Sequence, residues 1–146
     1  MANDRLITRH AVPEDAVAIS GLLSELGYTV SPADAAQRLH QLGSTGSDPV
    51  YLAVEGVVPV GLIAVHWTSM LHLAAPVARI TALVVSRNAR RQGVGRCLTD
   101  CAIAMARRAG CDILELTTAA HRGDAHAFYR ATGFTQTSTR FQLSLG

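Results

Sequence analysis

Aromatic and charged residues are both scarce in this sequence. Phe, Tyr and Trp make up 5% of its 146 residues, and Asp, Glu, Lys and Arg together make up 16%. The formal net charge is only +2, and no aromatic stacking motif accompanies it, so the composition argues against a nucleic-acid-binding protein. Apolar residues nonetheless reach 49%, which is enough for the core of one domain built from Ala, Val, Leu and Ile.

Cysteines and long apolar runs are equally limited. The three cysteines, Cys97, Cys101 and Cys111, include no CxxC pair, so the sequence offers neither a disulfide framework nor the spacing of a zinc site. We expect reduced thiols in a cytoplasmic protein that binds no metal. The first ten residues contain no apolar run, and no stretch approaches the ~18 apolar residues of a membrane span. We therefore expect neither a signal peptide nor a membrane partner.

Hydrophobic periodicity predicts ten elements in the order β-α-α-β-β-β-α-β-α-β. The strand at 77–85 is apolar on both faces and is therefore expected to be central. This order is typical of an α/β protein with a mixed sheet, in one domain that spans residues 1–146. The predicted strands are 5–10, 50–56, 59–71, 77–85, 111–118 and 134–145, and the predicted helices are 13–26, 32–42, 94–109 and 124–133.

The stretch ARRQGVGRCL (89–98) indicates an anion site. Its pattern Arg90-x-x-Gly93-x-Gly95 leaves a strand and opens a helix. Glycines let backbone N–H groups approach an anion closely, and a helix N-terminus favours negative charge. The P-loop pattern GxxxxGK[ST] is absent, and the third glycine of the dinucleotide fingerprint is missing. Taken alone, the loop also fits a glycine-rich turn with solvated arginines.

A second motif, AHAFYRATGF (125–134), has the pattern Ala-x-x-Phe-Tyr-x-x-x-Gly-Phe. Together with the glycine loop and the strand before it, this motif resembles the GNAT superfamily of N-acetyltransferases. The specific resemblance covers residues 77–134, and the N-terminal elements match the family only in order and length. It implies a single-domain GNAT-like fold with a mixed, mostly antiparallel sheet flanked by helices. The central strands, 77–85 and 111–118, are expected to splay apart.

The resemblance implies acetyl-CoA as the acyl donor. In the family the glycine loop grips the pyrophosphate, and the strand before it pairs with the pantetheine amides as an added strand would. A backbone N–H of that strand is the implied donor to the thioester oxyanion. Tyr129 is implied to lie at the cofactor and to protonate the leaving thiolate. The implied cofactor-binding residues are thus Leu83, Val84, Val85, Arg90, Arg91, Gln92, Gly93, Val94, Gly95, Arg96 and Tyr129.

The general base is where the sequence departs from the family. Many members carry a carboxylate in the central strand, where this sequence has Thr81 and Ala82, and neither accepts a proton at neutral pH. Glu115, the carboxylate on the neighbouring strand, is the catalytic candidate for this role. The alternatives are His66, His72, His121, and direct capture of the free amine with a water relay. Without a carboxylate on the central strand, we favour capture.

The expected activity is transfer of an acetyl group from acetyl-CoA to a primary amine by direct attack on the thioester. The acceptor is a small molecule or a peptide, and segments 22–43 and 66–76 are expected to build its site. A CoA-binding sensor or subunit with little catalysis is the alternative, because the strand carboxylate is missing. The strand predicted at 134–145 is a candidate edge for a homodimer.

Overall fold

Five strands form one sheet with helices on both of its faces. The computed structural model describes residues 5–118 and 123–146. Short 3-10 turns at Pro13–Asp15 and Arg87–Ala89 precede α1 and follow β4. The regular elements in chain order are β1 (Leu6–His10), α1 (Ala16–Leu26), α2 (Pro32–Gly43), β2 (Val50–Glu55), β3 (Val58–Thr68), β4 (Val77–Val85), α3 (Val94–Arg108), β5 (Ile113–Leu116) and α4 (Gly123–Ala131).

The sheet is mixed and mostly antiparallel, as predicted. Its strand order is β1-β2-β3-β4-β5. The first three pairings are antiparallel, and β5 alone runs parallel to its neighbour, β4. The parallel pairing requires a crossover connection, which α3 supplies.

Alternate strand residues pack against the two helical layers, because successive side chains of a strand point to opposite faces of the sheet. Leu62 and Val84 pack under α1 and α2, whereas Ile63 and Ala78 pack under α3. We call these two sides the α1/α2 face and the α3 face. β4 contributes buried side chains to both faces, which confirms the prediction that it is central.

A close approach at Gly61 fixes the N-terminal end of α3 against the sheet. A Cβ atom at Gly61 would lie 2.9 Å from Leu98 Cδ1 and 3.0 Å from Val94 Cγ1. Any side chain there would push α3 away from β3. The missing side chain therefore sets the helix N-terminus directly beside the end of β4.

Three predicted strands differ from the structure. β3 ends at Thr68 rather than residue 71, because Thr68 pairs with Val77, the first residue of β4, and the chain then turns. β5 covers only Ile113–Leu116 rather than 111–118, because its ladder with β4 has four pairs. The predicted strand 134–145 was wrong: among the described residues, its backbone makes only the hydrogen bond from Phe134 N–H to Tyr129 C=O at 2.9 Å, and no ladder forms.

Burial raises the pKa of the Cys97, Cys101 and Cys111 thiols, so none of them is a thiolate nucleophile at neutral pH.

In the described ranges, none of the helices combines the length and hydropathy that a bilayer crossing requires.

Candidate active site

The central strands part halfway along β4. The β4–β5 ladder ends at the pair Ile80–Leu116, whereas β4 continues for five more residues to Val85. A bulge marks the same place on the other side of β4. Ala64 pairs with Ala82 and Val65 pairs with Ile80, which leaves Thr81 without an opposite residue. Residues 81–85 therefore border a gap on the side where β5 lay, and this splay is the one expected from sequence.

The register shows which backbone groups of β4 face this gap. Ser86 N–H donates to Val60 C=O at 2.7 Å, and paired residues of antiparallel strands alternate between bonded and non-bonded positions. Val84 is therefore bonded to β3, and the N–H and C=O groups of Leu83 and Val85 point into the gap. The Arg90 Nε atom donates to Val85 C=O at 3.4 Å, which agrees with this direction.

The glycine loop follows immediately and is held on one side by α1. Glu25 Oε1 accepts from Arg87 N–H at 2.8 Å, and Ala89 is buried against the α3 face. Arg91 and Gly93 then adopt left-handed conformations, with φ of 64° and 82°. A non-glycine residue at positive φ is strained, and such strain concentrates at ligand clamps.

Free amides collect where this loop becomes α3. The first backbone bond of the helix runs from Cys97 N–H to Gly93 C=O at 3.0 Å. Within the described chain, the N–H groups of Val94, Gly95 and Arg96 have no backbone acceptor. With Arg90 and Arg91 just before them in the chain, these amides are a candidate anion site, here called the anion cradle, at the positive end of a fifteen-residue helix.

α4 closes the cradle from the α3 face. A Cβ at Gly95 would lie 3.2 Å from Phe128 Cζ, so the Phe128 ring rests on the first turn of α3. The neighbouring Tyr129 ring makes edge contacts with Phe128 and Phe134, at centroid distances of 5.4 and 5.8 Å. Tyr129 is half-buried and is thereby held next to the glycine loop.

On the α1/α2 face, a polar row crosses three strands just before the gap. His66 on β3 lies opposite Arg79 on β4, and Arg79 lies opposite Glu115 on β5. Within the described residues, neither Arg79 nor Glu115 forms a salt bridge. The next cross-strand pair on this face towards the gap is Ala64 with Ala82, two small, half-buried side chains at the border of the core under α1 and α2.

His66 is the one member of this row with a carboxylate partner in the described chain. Its Nδ1 atom lies 2.6 Å from Asp48 Oδ1. Backbone bonds from Val65 to Pro49 and from Trp67 to Ser47, both 3.1 Å, extend the β2–β3 ladder and place the two residues directly opposite each other. With Asp48 accepting from Nδ1–H, the Nε2 atom carries the basic lone pair.

Asp48 is built to remain charged. Burial raises the pKa of the Asp48 carboxyl. Hydrogen bonds from Thr45, His66 and Ser47 lower this pKa by more than burial raises it, so the net pKa lies below the ordinary value. Its side chain is 17% exposed, whereas that of His66 is 43% exposed. The imidazole therefore remains accessible while the carboxylate orients it.

Three other residues, Glu115, His72 and His121, are predicted as possible bases. Glu115 is exposed on the α1/α2 face, separated from His66 by Arg79. His72 is exposed in the turn between β3 and β4. His121 lies outside the described residues. In residues 5–118 and 123–146, no three His, Cys, Asp or Glu side chains converge as metal ligands would.

A cavity of about 420 Å³ lies where β2 begins and β3 ends, and none of residues 81–96 lines it. Its wall includes His10, Asp48, Tyr51, Trp67 and Arg108, so the carboxylate partner of His66 borders it. His10 Nε2 and the Tyr51 hydroxyl lie 2.9 Å apart and satisfy each other. This cavity has no run of free amides, so the gap and its loop are the better candidate for a phosphate-bearing ligand.

Comparisons with known proteins agree with this geometry. The model of the acetyltransferase (GNAT) family matches residues 18–134. The aminoalkylphosphonate N-acetyltransferase of Salmonella typhimurium is 34% identical over 138 residues, which cover 94% of this chain and 90% of that protein. A transcriptional regulator from Bacillus halodurans superposes with a TM-score of 0.88 at 25% identity, covering 96% of this chain and 99% of the other. An aminoglycoside N-acetyltransferase solved in complex with CoA superposes with a TM-score of 0.84 at 15% identity, covering 95% and 93%.

The splayed sheet and the glycine loop define an acetyltransferase of the GNAT class, and this chain belongs to the GNAT family. It is an N-acetyltransferase, and the transfer of an acetyl group to an amine is its activity. The family uses acetyl-CoA, and related acetyltransferases take an amine as acceptor.

Proposed function

We propose that this protein binds acetyl-CoA in the gap between β4 and β5 and acetylates the primary amine of a small anionic molecule. One observation carries the placement: β4 runs five residues beyond its ladder with β5 and leads directly into the anion cradle. A strand edge and a set of helix N-terminal amides thus lie end to end. A ligand with an amide-bearing arm joined to a pyrophosphate suits this arrangement, because its arm can pair with the strand edge while its pyrophosphate meets the helix amides.

The cradle suits the pyrophosphate. The amides of Gln92 to Arg96 supply N–H donors, and Arg90 and Arg91 add charge-assisted bonds. The left-handed turn through Arg91 and Gly93 directs successive amides to one side of the loop, as anion nests do. A Cβ at Gly95 would lie 3.2 Å from Phe128 Cζ, so a side chain there would displace the Phe128 ring from the first turn of α3.

The exposed edge of β4 suits the pantetheine arm. Leu83 and Val85 present N–H and C=O groups to the gap at the spacing of a strand, and an extended amide-bearing ligand pairs with such an edge. An N–H of the same edge is placed to stabilise the negative charge that develops on a thioester oxygen. Val84, whose backbone turns towards β3, serves by packing under α1 and α2.

Bound acetyl-CoA supplies an activated acetyl group and a thiolate leaving group. The acceptor amine loses its proton, because an alkylammonium with pKa near ~10 has no lone pair for attack. In our proposal His66 Nε2 takes this proton, with Asp48 stabilising the resulting imidazolium. When the amine bonds to the thioester carbon and the C–S bond breaks, Tyr129 would give its hydroxyl proton to the departing thiolate, and solvent would carry the proton held by His66 back to the tyrosinate.

We prefer proton transfer to His66 over direct capture of the free amine as the way in which the acceptor loses its proton. It shares the α1/α2 face with Ala82, one of the two positions where many family members carry a carboxylate, and lies two strand residues from Ala64, the partner of Ala82. A base on the neighbouring strand therefore compensates for the missing carboxylate. Glu115 lies on the same face but on the far side of Arg79, about 9–10 Å from His66 across two strand spacings, so it does not share an ammonium group with His66.

The position of Arg79 suggests an acceptor that carries an anionic group. It lies between His66 and Glu115 on the open α1/α2 face, and within the described chain it has no salt-bridge partner. Guanidinium groups bind phosphonates and carboxylates in bidentate fashion. The similarity to an aminoalkylphosphonate N-acetyltransferase supports short aminoalkylphosphonates as the first acceptors to examine.

The test measures thiol release from acetyl-CoA with three acceptors of equal length: an aminoalkylphosphonate, an aminoalkylcarboxylate and an uncharged alkylamine. We expect amine-dependent thiol release, with the highest kcat/KM for the phosphonate. Arg79→Gln should raise KM for the two anionic acceptors and leave the alkylamine unaffected. Tight binding of acetyl-CoA without thiol release for any amine would contradict the proposal and favour a CoA-binding module without catalysis.

A further inference from the structure

A hydroxyl group marks the point where the central strands part. Thr81 is the first residue of β4 beyond its ladder with β5, which ends at Ile80. It is also the extra residue of the β3–β4 bulge, with no residue opposite it on β3. Thr81 is exposed and borders the gap. Bulges re-aim side chains beside active sites, so the chemistry of this hydroxyl bears on the reaction.

Local hydrogen bonding makes the Thr81 oxygen an acceptor for a ligand in the gap. Its Oγ1–H donates to Ala64 C=O across the bulge at 3.3 Å. A threonine hydroxyl has one proton and two acceptor lone pairs. With the proton committed to β3, the oxygen offers a ligand its lone pairs, and the matching group on that ligand is an N–H or O–H donor.

The acceptor amine is such a donor during the reaction. When a primary amine attacks the thioester carbon, its nitrogen carries two hydrogens and gains positive charge as the N–C bond forms. One hydrogen leaves as a proton to the base, and the other stays in the product amide. Hydrogen bonds to a charged group are stronger than those to a neutral one. An oxygen that meets the second N–H therefore stabilises the transition state more than the neutral amine.

We propose that Thr81 Oγ1 accepts a hydrogen bond from the N–H that the attacking nitrogen keeps, and that it thereby selects primary over secondary amines. The inference rests on the proposed placement of acetyl-CoA in the gap. Thr81 takes no proton: the N–C bond forms, the C–S bond breaks, and the proton released by nitrogen goes to the base. A secondary amine has one N–H at this stage, which the base removes, so Thr81 is left without a donor.

Thr68 provides a matched control for a purely structural role of such a hydroxyl. Thr68 is also an exposed strand residue, and its Oγ1–H donates to the backbone C=O of Ser69 at 3.4 Å. It pairs with Val77, four residues before Thr81 on β4 and within the part of β4 that β5 covers. Thr68→Val thus removes the same kind of hydrogen bond away from the gap.

The test compares kcat/KM for the best primary amine and for its N-methyl derivative. Thr81→Val removes the hydroxyl and keeps the branched shape of the side chain. We expect it to lower kcat/KM for the primary amine roughly 10- to 100-fold and to change that for the N-methyl amine less than about twofold. Thr81→Ser, which keeps the hydroxyl, should preserve the preference for the primary amine, and Thr68→Val should affect neither substrate.

Three results would overturn the role of Thr81: an equal loss for both amines, an unchanged kcat/KM for the primary amine, or Thr81→Ser as slow as Thr81→Val. If wild type turns over no N-methyl amine, the loss with the primary amine and its rescue by serine decide the question. Calorimetry should give Thr81→Val the wild-type affinity for acetyl-CoA. Wild-type protein that releases no thiol with any amine would overturn the proposed function itself, and this inference with it.

Discussion

Replacing Gly93 by alanine separates the cost of folding the glycine loop from its role in binding. Gly93 at the start of α3 and Gly110 just beyond its end have φ of 82° and 81°. At both positions a Cβ would meet no atom within 4 Å. Gly110→Ala is therefore a matched control at the opposite end of the same helix. It introduces the same backbone strain, and its new methyl group likewise meets no neighbouring atom.

The two substitutions should destabilise the protein equally and affect ligand binding differently. A left-handed conformation costs an L-residue about 1–2 kcal/mol, so each variant should lose that amount from its free energy of unfolding. Relaxing the strain at Gly93 rotates the peptide groups of the cradle. Losing one hydrogen bond to a charged phosphate costs about 1.5–3 kcal/mol, which lowers acetyl-CoA affinity roughly 10- to 100-fold.

The assays are denaturant unfolding for stability and isothermal titration calorimetry for acetyl-CoA affinity. We expect equal unfolding free energies for the two variants and weakened binding for Gly93→Ala only. Equal acetyl-CoA affinities in the two variants would refute the assignment of the cradle, because the loop would then contribute to folding alone.

Four further predictions concern single residues. Arg91→Gly should raise the free energy of unfolding by about 1 kcal/mol, because it relieves a left-handed conformation; an unchanged denaturation midpoint would contradict this. Tyr129→Phe should lower kcat and leave the calorimetric affinity for acetyl-CoA unchanged, whereas full kcat with chemistry rate-limiting would make Tyr129 structural. With wild type, the rising limb of kcat/KM against pH should lie at the same pH for two amines of different basicity and should vanish in His66→Gln; a limb that follows each amine would restore capture of the free amine. Asp15, whose pKa is lowered chiefly by its hydrogen bonds from Arg9, contributes stability above the ordinary carboxyl pKa and loses it as the pH falls through its lowered value. Asp15→Asn should therefore cost up to ~1 kcal/mol at pH 7 and progressively less as the pH falls below the ordinary carboxyl pKa, as measured by urea unfolding across this pH range.

Most of the fold follows from local patterns in the sequence. The apolar residues on both faces of 77–85 and the helical spacing of Val94, Leu98 and Met105 predicted β4 and α3 with their faces. These patterns are reliable because each element buries a stripe or a face whose period is set by backbone geometry. The glycine loop was also predictable, since Gly93 and Gly95 lie where a strand passes into a helix.

The Asp48–His66 pair was not predictable from spacing. Counting back from the β2–β3 turn, where Glu55 pairs with Val58, would place Val65 opposite Asp48. A bulge between Ala53 and Val54 shifts the register by one residue and brings His66 there instead. A one-residue shift moves a side chain to the other face of the sheet, so this pair depends on a bulge with no sequence signal of its own.

The tail shows a different limit. The alternation of Phe141, Leu143 and Leu145 predicted a strand that the structure does not form, because a strand also needs a neighbour with which to pair. Local pattern carries no information about whether such a neighbour is present.

Backbone amide shifts during an acetyl-CoA titration test the central claim most directly. In ¹⁵N-labelled protein, we predict the largest changes at Leu83, Val85 and the amides of 92–96, which border the gap and form the cradle. The amide of Val84, bonded to β3, should move much less than its two neighbours. Saturable binding with shifts confined to the cavity around Tyr51 and Trp67, and none along β4 or the glycine loop, would contradict the account.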